Sequence, residues 1–181
     1  MLISRAEMKD LRKRNGAHRE VHKVPIAAWG FSEPDPRVGG DGPTFKRILL
    51  AVTDSDACMR AAAVAAGLAR TSGAEVRVVH FIERLFLGRA GWCSIETADE
   101  AKRIISRFRS ELEMAGVRVT ATTGKARREE RAIDILLAAA EFGAGVIVIG
   151  TRRKSALRAV LFGSVSHEII HKSKVPVVVV P

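Results

Sequence analysis

Residues 145–149, Gly145-Val146-Ile147-Val148-Ile149, form a short β-branched run with no polar alternation, closed by a second glycine at 150. That pattern predicts a strand buried on both faces of a parallel sheet, covered above and below. Gly150 at its carboxyl end frees the backbone to turn sharply and lets another chain or a ligand come close. Gly163-Ser164 then opens a predicted helix, Val165 to Lys172, whose N-terminal N–H groups and dipole favour an anion. Strand, glycine turn and helix start together predict a phosphate cradle.

The rest of the chain alternates strand and helix. Arg47–Thr53 reads as a buried strand and Asp56–Arg70 as an alanine-rich helix. In that helix Ala61, Ala62, Ala63, Ala65 and Ala66 permit close approach to the sheet. Glu75–Phe81 is the next strand. Ser94 to Met114 reads as an amphipathic helix with Ile95, Ala98, Ile105, Phe108 and Leu112 inward. Val117–Thr122 alternates like an edge strand, Glu129–Phe142 has helical spacing, and Val175–Val180 is a terminal apolar strand. The expected fold is α/β: a five-stranded, parallel, doubly wound sheet with ligands at the carboxyl ends of its strands.

Four of the six prolines (Pro25, Pro34, Pro36, Pro43) and the run Gly39-Gly40-Asp41-Gly42 fall in the first 44 residues. We read 1–44 as a variable, flexible N-terminal extension and linker, and 45–181 as one domain. No stretch is long enough to span a bilayer, and no membrane partner is expected. Nor does the front segment resemble a signal or transit peptide. Cys58 and Cys93 form neither a disulfide framework nor a metal cluster, and Cys58 reads as a small core residue. A cytoplasmic location is expected. The net charge is +10, and 152–174 carry six Lys/Arg against Glu168 alone. This basic excess raises the local concentration of anionic ligands.

The G-x-G-x-x-G and Walker A patterns are both absent, which removes common dinucleotide enzymes and P-loop NTPases. From Phe45 to Pro181 the chain instead resembles a universal stress protein domain, with an adenine nucleotide alpha-hydrolase-like, Rossmann-like fold. The resemblance rests on Ala51-Val52-Thr53-Asp54, His80-Phe81, Gly124, Gly150, Gly163-Ser164-Val165-Ser166 and the closing Pro176 to Val180, in that order. The ATP-binding branch of that family carries G-x2-G-x9-G-[S/T]. Gly150 and Gly163-Ser164 fit that spacing, and Arg153 replaces the middle glycine. The replacement removes close backbone approach and supplies a guanidinium that can clasp phosphate.

The resemblance implies a role for each matching position. Val52 and Thr53 would line the base, the Phe81 backbone would bond its edge, and Asp54 would accept from a ribose hydroxyl. Gly150, Arg153, Gly163, Ser164 and Val165 would hold phosphates. Asp54 and Ser164 serve equally well as helix caps, and both roles stay open. The implied ligand is ATP, or ADP or AMP, with Mg²⁺ accompanying the phosphates. The implied assembly is a homodimer through Val175–Val180, because a long apolar edge strand calls for a partner.

His167 and His171 share a helix face without a third metal ligand in view, and read as a solvated face. His80 reads as a bonded core residue, and the charged run Lys125–Arg131 as a solvated loop and helix start. No nucleophile with its base and no poised carboxylate pair is evident, so a dedicated enzyme activity is not expected. The reading is a stress-response protein with a nucleotide as regulatory ligand. Its alternative is a nucleotide-free interaction module meeting an unknown protein partner through the Leu85–Trp92 loop, whose bland reading is a flap on the sheet edge. Only 5% of residues are aromatic, which argues against nucleic acid.

Overall fold

A computed structural model describes residues 45–151 and 164–181. Residues 1–44 and 152–163, Arg153 and Gly163 among them, lie outside the described residues. Strands are β1 (Arg47–Ala51), β2 (Glu75–Phe86), β3 (Trp92–Ser94), β4 (Arg118–Arg127), β5 (Val146–Gly150) and β6 (Val177–Val180). Helices are α1 (Asp56–Ser72), α2 (Ala98–Met114), α3 (Arg131–Phe142) and α4 (Ser164–Lys172).

Five strands run parallel in the order β4-β2-β1-β5-β6. The short β3 is antiparallel to the end of β2. Arg84 pairs with Arg127 of β4 on one side and with Ser94 of β3 on the other. β3 therefore occupies the edge of β2 that β1 fills lower down, and lies beyond the carboxyl end of β1.

Side chains of β1 alternate between two cores, as a strand covered on both faces requires. Ile48 and Leu50 pack with Val146 and Val148 under the alanines of α1 and under Phe108 and Leu112 of α2. Leu49 and Ala51 pack with Ile147 and Ile149 under Ile135, Leu136 and Ala139 of α3 and Ile169 of α4. This is the doubly wound, mostly parallel sheet expected from the alternation.

Several element boundaries differ from expectation. β2 runs five residues past Phe81 and β4 five past Thr122, because the two strands pair continuously from Glu75↔Arg118 to Arg84↔Arg127. α2 starts at Ala98, not Ser94. Thr97 caps it through Glu100 N–H, and the Glu100 carboxylate accepts from the Thr97 amide in return. Hydrogen bonds from the Thr97 backbone, then from its hydroxyl, hold the Glu100 carboxyl below its ordinary range. With the start displaced, Ile95 and Ala98 are exposed and Ala101 joins Phe108 and Leu112 inside. Ala63 also faces solvent, while the other four named alanines of α1 are buried. β6 begins at Val177, after Pro176, which lacks the N–H a ladder needs.

Candidate functional site

The carboxyl ends of β1, β2 and β5 and the start of α4 enclose a cavity of about 790 Å³. β1 contributes Ala51 and, just past its end, Val52 and Thr53; β2 contributes Val79, Phe81 and Glu83; β5 contributes Ile149 and Gly150. α4 adds Ser164, Val165, Ser166 and Ile169, and Ile135 of α3 closes the wall. Six of the nine anticipated residues thus meet in one place: Val52, Thr53, Phe81, Gly150, Ser164 and Val165.

Gly150 has a packing reason of its own. A Cβ there would lie 2.6 Å from the Ala57 carbonyl carbon and oxygen and 2.7 Å from the Cys58 amide. The first turn of α1 is therefore what approaches this glycine. Gly124 is similar: a Cβ would meet the Phe81 ring at 2.6 Å, and the two residues face each other across β2 and β4.

Asp54 stands apart from the large cavity. It is exposed, borders a second, shallow depression of about 490 Å³, and accepts from Arg107 at 3.4 Å. The cap of α1 falls to Ser55, which accepts from the Cys58 amide. Asp54 therefore does not cap the helix, and its carboxylate projects toward solvent between the turn and α2. Ile95 lines both depressions. Cys58 is buried, and its Sγ accepts from the Thr53 amide at 3.3 Å.

His80 is 3% exposed and bonded at both ring nitrogens. Nδ1 lies 2.9 Å from the Val52 carbonyl, which can only accept, so Nδ1 carries hydrogen. Nε2 lies 2.7 Å from Glu96 Oε1. Neutral imidazole has no second N–H, so this contact needs one further proton, on the ring or on the carboxyl. His80 ties the end of β1 to the segment between β3 and α2.

The run Lys125–Arg131 is not simply solvated. Arg127 ends β4, and Arg128 and Arg131 line the cavity on either side of Glu83. Arg128 Nε reaches Glu83 Oε1 at 2.5 Å, and Arg131 pairs with the other carboxylate oxygen. Sequence reasoning missed this cluster because Glu83 lies 45 residues from Arg128. His167 and His171 do form an exposed face, with ring centroids 4.3 Å apart.

A profile of the universal stress protein family matches residues 44–181. The chain belongs to this family. A member from Thermus aquaticus is 33% identical over 144 residues, spanning 75% of this chain and 98% of its own. Among solved structures, a universal stress protein from Archaeoglobus fulgidus is 31% identical, with TM-score 0.60, over 75% of this chain and 98% of its own. Another structure from that organism, solved in complex with dAMP, is 29% identical, with TM-score 0.57, over 77% of this chain and all of its own. The cavity of this chain lies at the strand ends of a mostly parallel sheet. Among the described residues no helix is long and apolar enough to cross a membrane.

Proposed function

We propose that this universal stress protein binds an adenine nucleotide, ATP or its ADP or AMP form, as a regulatory ligand within a cytoplasmic homodimer. The observation that carries the reading is the convergence of Val52, Thr53, Phe81, Gly150, Ser164 and Val165 on one cavity. Its volume of about 790 Å³ falls within the usual span of ligand sites, roughly 300–1,000 Å³. Val52, Val79, Ile135 and Ile149 supply an apolar wall for a base. Ser164 and Ser166 at the start of α4 supply hydroxyls where the helix dipole favours phosphate. The dAMP complex of the Archaeoglobus relative supports the adenine choice. Asp54 would reach the ribose from the neighbouring depression that Ile95 shares with the cavity, Arg153 and Gly163 would complete the phosphate side, and Mg²⁺ would accompany the phosphates.

His80 supports the site structurally. The buried imidazole beside the site is engaged by Val52 and Glu96, an arrangement that holds structure together. The dimer would form through β6, which ends the sheet with four half-buried valines. The 1–44 segment would remain a variable extension to the 45–181 domain.

The test is the nucleotide released by heat from purified protein, followed by titration with ATP, ADP and AMP. Micromolar binding that weakens in Asp54→Ala and fails in Gly163→Val is expected. A clean blank with no binding overturns the reading. So does a steady ATPase turnover of about 1 s⁻¹ or faster, which would make the nucleotide a substrate.

A further inference from the structure

Seven large hydrophobic side chains are exposed among the described residues, and four belong to one hairpin region: Phe86 (62%), Leu87 (53%), Trp92 (40%) and Ile95 (57%). The hairpin is well formed. Phe86 pairs with Trp92, the Leu87 amide donates to the Gly91 carbonyl at 2.8 Å, and Gly88 and Gly91 supply the positive φ of the turn. The Phe86 and Trp92 rings lie 5.3 Å apart. The guanidiniums of Arg84 and Arg127 stand 5.3 and 4.8 Å from the Trp92 ring. An ordered aromatic apex is thus backed by arginines.

The charge of this apex has one sign. Residues 84–95 contain Arg84 and Arg89 and no acidic residue. The neighbouring carboxylates are engaged within the fold, Glu83 by Arg128 and Arg131, Glu96 by His80, and Glu130 by Arg127. A second copy of the same face would bring arginine against arginine, so the complementary partner is anionic. The apex also protrudes. Leu87 stands three residues beyond Arg84, about 10 Å at roughly 3.3 Å per residue, close to the 5–10 Å by which amphipathic segments enter a headgroup layer. Tryptophan and phenylalanine suit that depth, and arginines behind them suit lipid phosphates.

We propose that the 86–92 hairpin seats on an anionic bilayer surface, with Phe86, Leu87 and Trp92 among the headgroups and Arg84 and Arg89 on their phosphates. The contact is peripheral and needs no spanning segment; it revises the sequence-based expectation of no membrane partner.

Co-sedimentation of the full chain with phosphatidylglycerol-rich vesicles, against pure phosphatidylcholine, tests it. Binding to the anionic vesicles alone is expected. Leu87→Asp should lower the partition coefficient about tenfold or more, and Arg89→Gln should weaken binding and flatten its salt dependence. Both side chains are exposed, so circular dichroism should be unchanged; Phe86→Ser serves as the second apolar variant. Failure to bind anionic vesicles overturns the proposal. So does wild-type binding by Leu87→Asp and Phe86→Ser, which would assign adsorption to the general +10 charge.

Discussion

Gly150 rests directly against the Ala57 carbonyl: a Cβ on it would stand 2.6 Å from both the carbonyl carbon and the oxygen. Both atoms are backbone, so no side chain can swing aside. Gly150→Ala should push the first turn of α1 off the sheet, at a cost of about 1–3 kcal/mol. Urea unfolding would read the loss as a lower midpoint. An unchanged midpoint would mean that the contact relaxes freely, leaving ligand approach as the reason for glycine here.

His80 offers a test of the same corner from the other side. His80→Ala would strip the buried Val52 carbonyl and the half-buried Glu96 carboxyl of their partner. Leaving such groups unsatisfied, together with the lost packing, should cost about 2–4 kcal/mol. Hydrogen exchange should quicken first at residues 93–97, because Glu96 is what His80 holds. Protection unchanged in that segment would show that the cap at Thr97 alone secures it.

Much of this corner was legible in the sequence. The alternation of apolar runs placed every parallel strand, Gly150 and Ser164 were marked by the strand, turn and helix start they flank, and Val52 and Phe81 came to the site through the family resemblance. The hairpin was less legible, although its signals were present. Gly88 and Gly91 punctuate two apolar stretches, and Thr97-x-x-Glu100 marks the true start of α2. A helix beginning there turns Ile95 and Ala98 outward. The Glu83–Arg128–Arg131 cluster had no local signal, since ion pairs between distant segments depend on a strand register that only the folded sheet supplies.

Gly124 differs from Gly150 in what it touches. Its missing Cβ would meet the Phe81 ring, 2.6 Å from Cε1 and 2.8 Å from Cδ1, and a ring can rotate. Gly124→Ala should therefore cost little stability, about 1 kcal/mol or less. Turning Phe81 reshapes the cavity wall it lines, so adenine nucleotide affinity should fall several-fold in calorimetric titration. Unchanged affinity would remove the Phe81 ring from any role in shaping the site.

The edge of β6 can be tested without disturbing its ladder. The Ile147 and Thr151 amides donate to the carbonyls of Pro176 and Val180, so alternate residues 176, 178 and 180 face β5. The backbone groups of Val177 and Val179 then point away from the sheet. Val179→Pro removes one outward N–H and leaves the β5 pairing in place. Light scattering should show a dimer at micromolar concentration for the native chain and a folded monomer for the variant. A native monomer would defeat the edge-to-edge assembly.

Glu83 sets the charge of the cavity. Its carboxylate lies between Arg128 and Arg131, and its side chain is 13% exposed. Glu83→Gln keeps the shape and removes the negative charge, leaving two guanidiniums facing one neutral amide. The free protein should lose about 1–3 kcal/mol, because bonds to charged groups sit at that level when partly buried. Anion binding should move the other way. With one more uncompensated positive charge at the wall, nucleotide affinity should rise a few-fold at low salt and return toward the native value as salt screens it. Opposite signs for stability and affinity in one variant would separate the structural work of Glu83 from its influence on the ligand. A fall in both would instead make Glu83 a direct contact of the nucleotide.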